Sequence, residues 1–288
     1  MNIGKVTKGE AQYPWRLCNI KNPPQILYYR GDIQVCNRRC LAIVGSRKAT
    51  QYGRWAAYTM AKRAAEYGVV VVSGMATGVD AEAHRGALDG GGRTIAVLGC
   101  GPDVCYPASN AKLMERIINN GVIVSEYPPG RKPFGGQFPV RNRIISGLSE
   151  AVVVAEAGIK SGSLITVGWA LEQNKDVYAV PGPINNVNSY GTNKLIQDGA
   201  MPIISVDEVL TVMGLTGRLI EEGYKDVLGQ DEKNLLELIV AGGDVTIDEL
   251  CYKTGKSAGQ VAALVSLLEI KGIIIADGMK IIPLHSPK

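Results

Sequence analysis

The chain has 288 residues, of which 46% are apolar and 20% charged, and a net charge of +4. It can bury a sizeable core and has room for two domains. It contains neither an apolar run of 18 residues nor a charged-then-apolar leader, so it is expected to be cytoplasmic, neither membrane-spanning nor secreted.

Charge is unevenly distributed. Residues 1–40 carry 7 basic and 2 acidic side chains (+5), whereas residues 230–288 carry 6 and 8 (−2). Capacity to bind a polyanion is therefore expected in the first two-thirds of the chain. The six cysteines include Cys36 and Cys40, and Cys100 and Cys105, at loosely ligand-like gaps. The two histidines, His84 and His285, lie far from them in sequence, so free thiols in a reducing compartment are expected and no metal or other cofactor.

Residues 1–40 are rich in proline and aromatics and show no helical period, which predicts an extended arm or cap. From residue 41 short apolar runs alternate with helical spacing. Strands are predicted at 41–44, 69–73, 94–98, 122–125, 151–155, 177–180 and 202–205, with helices between them such as 52–68 and 163–175. Continuous apolar strands alternating with helices predict an α/β domain over 41–213, a doubly wound, extended Rossmann-like parallel sheet. Trp55 and Trp169 fall in apolar helical stripes and are expected in the core. A linker is predicted at 214–229. Residues 230–288 then read as three helices and a hairpin turning at Asp277-Gly278, with Thr246 and Ser257 as N-caps: a small winged-helix domain. The third helix has no cation between Lys256 and Lys271, which favours a protein contact over base reading.

In doubly wound sheets ligands sit beyond the carboxyl ends of the strands, against helix N-termini. The segments placed there are 45-GSRKAT-50, 73-SGMATGVD-80, 99-GCGPDVCYP-107, 125-SEYPPGRKPFGGQFPVRNR-143, 156-EAGIKSGS-163 and 181-PGPINNVNSYG-191. Neither a G-x-G-x-x-G fingerprint nor a P-loop lysine is among them, which argues against nucleotide-driven phosphoryl transfer. The stretch 131–147 holds Arg131, Lys132, Arg141 and Arg143, no acid, and both phenylalanines of the chain, Phe134 and Phe138. Cations that neutralise phosphates, interleaved with rings that can stack on bases, suit a single-stranded nucleic acid.

Several of these segments, with others, occur in order and with matching gaps: GSR (45–47), SGMATGVDAEAH (73–84), GGRTIAVLGCG (91–101), SEYPPG (125–130), FPVRNRIISGLS (138–149), EAGIKSGSLIT (156–166) and VPGPI…GTNKLIQDGA (180–200). Over roughly residues 12–210 the chain resembles the DNA-processing protein A (DprA/Smf) family, and its tail is similar to the winged helix many members carry. That resemblance implies a non-catalytic, homodimeric binder of single-stranded DNA that protects incoming strands and loads a RecA-type recombinase during natural transformation. Carried over residue by residue, the binding site would comprise Arg47, Lys132, Phe138, Arg141, Asn142 and Arg143. The turns at Ser73-Gly74 and Ser161-Gly162-Ser163 would supply backbone donors, and Gly45, Ser46 and Lys160 would also belong to the site. Members often carry a longer N-terminal domain, and some place a further basic residue in the loop that reads 133-PFGGQ-137 here.

Residues two apart on a helix point about 200° apart, so at most one of Arg141 and Arg143 can face the strand, the other pairing with a carboxylate. Asp80 and His84 stand four apart as an acid–base pair or, more simply, as a cap and its neighbour. Two rivals remain. Phosphoribohydrolases of the lysine-decarboxylase-like (LOG) group share the broad architecture, but Ile165 and Thr166 occupy the positions where their acidic residues would fall. A winged-helix transcription regulator would need a charged recognition helix.

Overall fold

The β-branched runs become strands in a computed structural model of the chain, which describes residues 3–215, 228–242, 245–271, 273–277 and 280–283. Two compact units form, Met1–Met213 and Gly214–Lys288.

In the first unit the strands are β1 (Gly4–Thr7), β2 (Ile26–Gly31), β3 (Cys40–Gly45), β4 (Val70–Ser73), β5 (Thr94–Leu98), β6 (Val122–Ser125), β7 (Ala151–Glu156), β8 (Asp176–Ala179) and β9 (Met201–Pro202). Helices α1 (Gln51–Glu66), α2 (Val79–Asp89), α3 (Ala111–Asn120), α4 (Gln137–Leu148), α5 (Ser163–Glu172), α6 (Tyr190–Gln197) and α7 (Glu208–Val212) alternate with them. Together they make the expected α/β sheet, in the order β1-β2-β6-β5-β4-β3-β7-β8-β9. From β3 to β9 every pairing is parallel. The chain winds outward from β3 to β6, then crosses back to β7 and winds the other way. The switch point therefore lies between β3 and β7, where a doubly wound sheet opens a crevice at its carboxyl edge. Their register slips at that edge, so that Gly45 pairs with Glu156 after Val44 has paired with Val154. Such a bulge re-aims the chain as it leaves the strand.

The first forty residues are not a separate arm. Strand β2 joins β6 antiparallel and β1 joins β2, extending the sheet. Tyr13, Leu17, Leu27 and Val35 are buried in the same core as Ile144 and Leu148 of α4. Each of these strands buries a single residue, Val6 or Leu27, which gives too little periodicity to be read from sequence. Part of the +5 surplus of this segment is also spent on ion pairs, Arg16 and Arg39 with Glu150 and Arg30 with Glu115. Trp169 is half-buried, its Nε1 donating to Pro139 O at 3.1 Å, but Trp55 is 54% exposed and not core. On α1 the small residues Ala56, Ala57 and Ala61 take the buried face instead.

In the second unit α8 (Gln230–Gly242), α9 (Ile247–Thr254) and α10 (Ala258–Ile270) precede an antiparallel pair, β10 (Ile274–Asp277) and β11 (Lys280–Pro283). Thr246 and Ser257 each close a capping box, with Glu249 and Gln260 reaching back. Leu235, Ile239, Leu250, Val261, Leu268 and Ile274 form its core. Most of the expected linker, and Gly278 of the expected hairpin turn, lie outside the described residues. Among the described residues no helix is long and apolar enough to cross a membrane, and no cluster of His, Cys, Asp or Glu could hold a metal ion. All six cysteines are free thiols.

Candidate nucleic-acid interface

A groove of about 740 Å³ lies at the switch point. Three segments wall it: the turn after β3 (Gly45, Ser46, Arg47, Lys48), the first turns of α4 (Phe138, Arg141, Asn142), and the β7–α5 loop (Lys160, Ser161, Gly162, Ser163). These segments are far apart in sequence and are brought together by the reversal of strand order.

Phe138 floors the groove. Tyr106 stacks on it with centroids 5.5 Å apart and planes at 28°, and the Arg47 guanidinium lies 5.3 Å from its ring centre. A stacked ring pair with a guanidinium against it is a ready platform for a base. Lys48 and Tyr106 were not among the expected site residues, although both lie in segments assigned to the carboxyl edge. A cation and a ring at that edge are the only sequence signal they give. Phe134, by contrast, is 68% exposed and outside the lining.

Four expected residues take other places. The Ser73 hydroxyl is buried and donates to Ile43 O at 2.7 Å, so it braces β4 against β3. Gly74 lies outside the groove, in an adjoining recess shared by Arg47, Tyr106, Phe138 and Arg141. A Cβ at Gly74 would come within 2.6 Å of Arg141 Nη2 and 2.8 Å of Asp80 Oδ2, so close approach requires glycine. Lys132 is exposed on the loop outside the lining. Arg143 is committed elsewhere, donating to both oxygens of Glu126 at 2.9 and 2.7 Å and to Asn22 O at 3.0 Å. It clamps α4 to the N-terminal segment, which fixes the helix that carries Phe138.

Arg141 is 4% exposed and faces the groove. Its Nε donates to Asn142 Oδ1 and its Nη1 to Gly74 O and Val97 O, which leaves Nη2 without an acceptor among the described residues. Burial lowers its pKa to about 10, a fall opposed by Asp80, so it remains charged at neutral pH. Burial likewise raises the Asp80 carboxyl above the usual range, against the pull of Arg141 and the Ala76 N–H.

Helix N-termini contribute less than expected. The end of α1 is already occupied: Glu156 accepts from Thr50 Oγ1 at 2.6 Å and from Thr50 N, and Thr50 Oγ1 accepts from Gly53 N. The start of α5 has no side-chain cap, and the Ser161 and Ser163 hydroxyls stand 2.8 Å apart at its mouth. The uncapped start of α5 and the turn at Arg47 thus leave donors open to an anion, whereas the start of α1 does not.

Asp80 and His84 are not an acid–base pair. Thr94 Oγ1 donates to Val71 O at 2.6 Å and lies 2.7 Å from His84 Nδ1, so Nδ1 carries the proton. Burial pulls the imidazole pKa from 6.5 down to about 3. With the folded value lowered, the unfolded chain takes the proton first as pH falls. The stability held by neutral His84 is thus complete above about pH 6.5 and declines toward pH 3, at up to about 1.4 kcal/mol per pH unit. Thermal melts between about pH 4 and 6 should show a shallower slope for His84→Gln than for the wild type. Equal slopes would mean that His84 does not titrate on unfolding.

The sheet order and the crevice at its switch point, with exposed cations and a stacked ring in the floor, define a doubly wound α/β protein. The sequence profile of the DNA recombination-mediator protein A family matches residues 5–214, and the chain belongs to that family. It is 44% identical over 198 residues to the DNA processing protein DprA of Streptococcus pneumoniae, covering 69% of this chain and 70% of the relative. To Protein Smf of Escherichia coli it is 35% identical over 272 residues, covering 92% and 73%. A Mycobacterium tuberculosis relative, 39% identical over 240 residues, is longer, and this chain spans 62% of its length and aligns over 82% of its own. The solved DprA of Streptococcus pneumoniae superposes with a TM-score of 0.70 at 41% identity, over 73% of this chain and 74% of that one. The DprA of Helicobacter pylori, solved for its single-stranded DNA binding mode, superposes with a TM-score of 0.68 at 33% identity, over 74% and 97%.

Proposed function

We propose that the groove binds single-stranded DNA without regard to sequence, and that the protein acts as a non-catalytic recombination mediator. It would protect incoming strands and pass them to a RecA-type recombinase in natural transformation. The observation that carries this reading is the Phe138 ring, stacked with Tyr106 and approached by the Arg47 guanidinium, on the floor of a groove walled by cations. Among the described residues Arg47, Lys48 and Lys160 have no ion-pair partner, so their charge is available to phosphates. The single-stranded DNA binding mode of the Helicobacter pylori relative supports the same ligand. Homodimerisation, the recombinase contact and a cytoplasmic location belong to this proposal through the family. So does a winged helix formed by the second unit, whose α10 contains no cation and suits a protein partner.

The test is fluorescence anisotropy with a labelled strand of about 20 nucleotides and its duplex. Tight strand binding and weak duplex binding are expected. With Arg47, Lys48, Arg141 and Lys160 at the groove, the slope of log K against log salt should be about −3, a loss of roughly fifty-fold between about 50 and 200 mM. Arg47→Ala should weaken binding roughly ten- to one-hundred-fold and shallow the slope by about 0.7. A flat salt response, or equal affinity for duplex and strand untouched by Arg47→Ala, would refute the placement. Release of free base from nucleoside monophosphates would replace the reading with the hydrolase one.

A further inference from the structure

Helix α1 leaves two large rings in solvent just beyond the groove. Tyr52 is 42% and Trp55 54% exposed, and their rings stack with centroids 6.0 Å apart and planes at 28°. They do not serve the core, because alanines hold the buried face of this helix. The pair is tied to the groove from two sides. Lys48, which lines the groove, precedes Tyr52 by four residues, and the Tyr52 hydroxyl donates at 3.0 Å to Pro181 O, which opens the segment that brings Asn188 to the groove wall. No acid occurs in sequence between Gly45 and Glu66, the Glu156 carboxylate at the start of the helix is buried and engaged by Thr50, and Arg54 on the same helix is exposed. Among the described residues only its Nε is engaged, by Ala49 O.

We infer that Tyr52 and Trp55 form a second base-stacking platform, which receives the single strand as it leaves the groove past Lys48. This rests on the groove binding single-stranded DNA. A stacked pair of exposed rings repeats the ring-on-ring stack of Tyr106 and Phe138, and stacking accepts any base because every base has a π-face. Unpaired bases are required, so duplex is not an occupant. The lack of acid and the continuity with the groove favour the strand over a second copy of the chain.

The experiment uses the full chain and two thymidylate strands, one of about six nucleotides, short enough for the groove, and one of about 20. Trp55→Ala should weaken the longer strand about five- to one-hundred-fold, the effect of removing one stacked base, and leave the shorter one unchanged. Trp55→Phe should restore most of the affinity, and the quenching of tryptophan emission by the long strand should largely vanish in it. Wild-type affinity of Trp55→Ala for both strands, with Arg47→Ala still impaired, would overturn the platform alone. A change in sedimentation of Trp55→Ala without a change in strand affinity would assign the rings to self-association and equally overturn it. Failure of the wild type to bind either strand would defeat the groove and the platform together.

Discussion

Arg141→Leu should destabilise the first unit by about 3–5 kcal/mol, the cost of removing one partner of a buried charged network. The side chain is 4% exposed and supplies donors to Gly74 O and Val97 O, on the turn after β4 and on β5. Leucine would leave both carbonyls without that donor and Asp80, 8% exposed, without its main opposing charge. Each unsatisfied buried polar group costs about 1–3 kcal/mol, more than a leucine gains by transfer into so polar a site. For a unit of about 200 residues that loss lowers Tm by roughly 6–20 °C. The control is the double variant with Asp80→Asn, which should recover part of the loss because the unpaired charge is gone. A Tm within about 2 °C of wild type for Arg141→Leu would mean that the guanidinium is not structural and serves the ligand alone.

Gly53→Ala should also destabilise, although Gly to Ala within a helix ordinarily gains about 0.5–1 kcal/mol. Here a Cβ would lie 2.0 Å from Glu156 Oε2. That carboxylate cannot swing aside freely, since it is buried and holds Thr50 Oγ1 and Thr50 N at the start of α1. Overpacking costs about 1–3 kcal/mol and a lost cap about 1 more, so the net loss is about 1–3 kcal/mol after the propensity gain. The same displacement reaches the ligand: Ser46 N donates to Glu156 O at 2.7 Å, and Arg47 follows it in the chain. Strand affinity should therefore fall in Gly53→Ala even at temperatures where it is fully folded, as anisotropy would show. An increase in Tm would mean that Glu156 relocates without cost.

The strands β3 to β8 were legible because buried parallel strands are apolar runs rich in Val, Ile and Ala, whereas β9 is only the exposed pair Met201–Pro202, where a strand over 202–205 was expected. β1 and β2 were not legible, because each buries a single residue, Val6 and Leu27, and offers no continuous buried run. The groove was legible in outline for a similar reason: small residues and cations recur where chain segments leave the strands. Which of Arg141 and Arg143 turns to the groove was not legible, because a guanidinium has the same sequence signature whether it meets a ligand or, as for Arg143 here, Glu126. Trp55 was misread because its i+1 and i+2 neighbours, Ala56 and Ala57, complete an apolar stripe that does not need it.

The sequence by itself determined the alternation of strand and helix, the caps at Thr246 and Ser257, and the motifs that resemble one family. Those are local properties, written in the order of neighbouring residues. Tertiary structure alone decided which cations remain free. Arg16, Arg39 and Arg143 meet Glu150 and Glu126 from distant segments, while Arg47, Lys48 and Lys160 meet no carboxylate among the described residues. It also decided that Arg141 enters the groove while Arg143 turns to Glu126. Helical geometry required that the two diverge. Only the packing of α4 against the N-terminal segment on one side and the turn after β4 on the other set which went where.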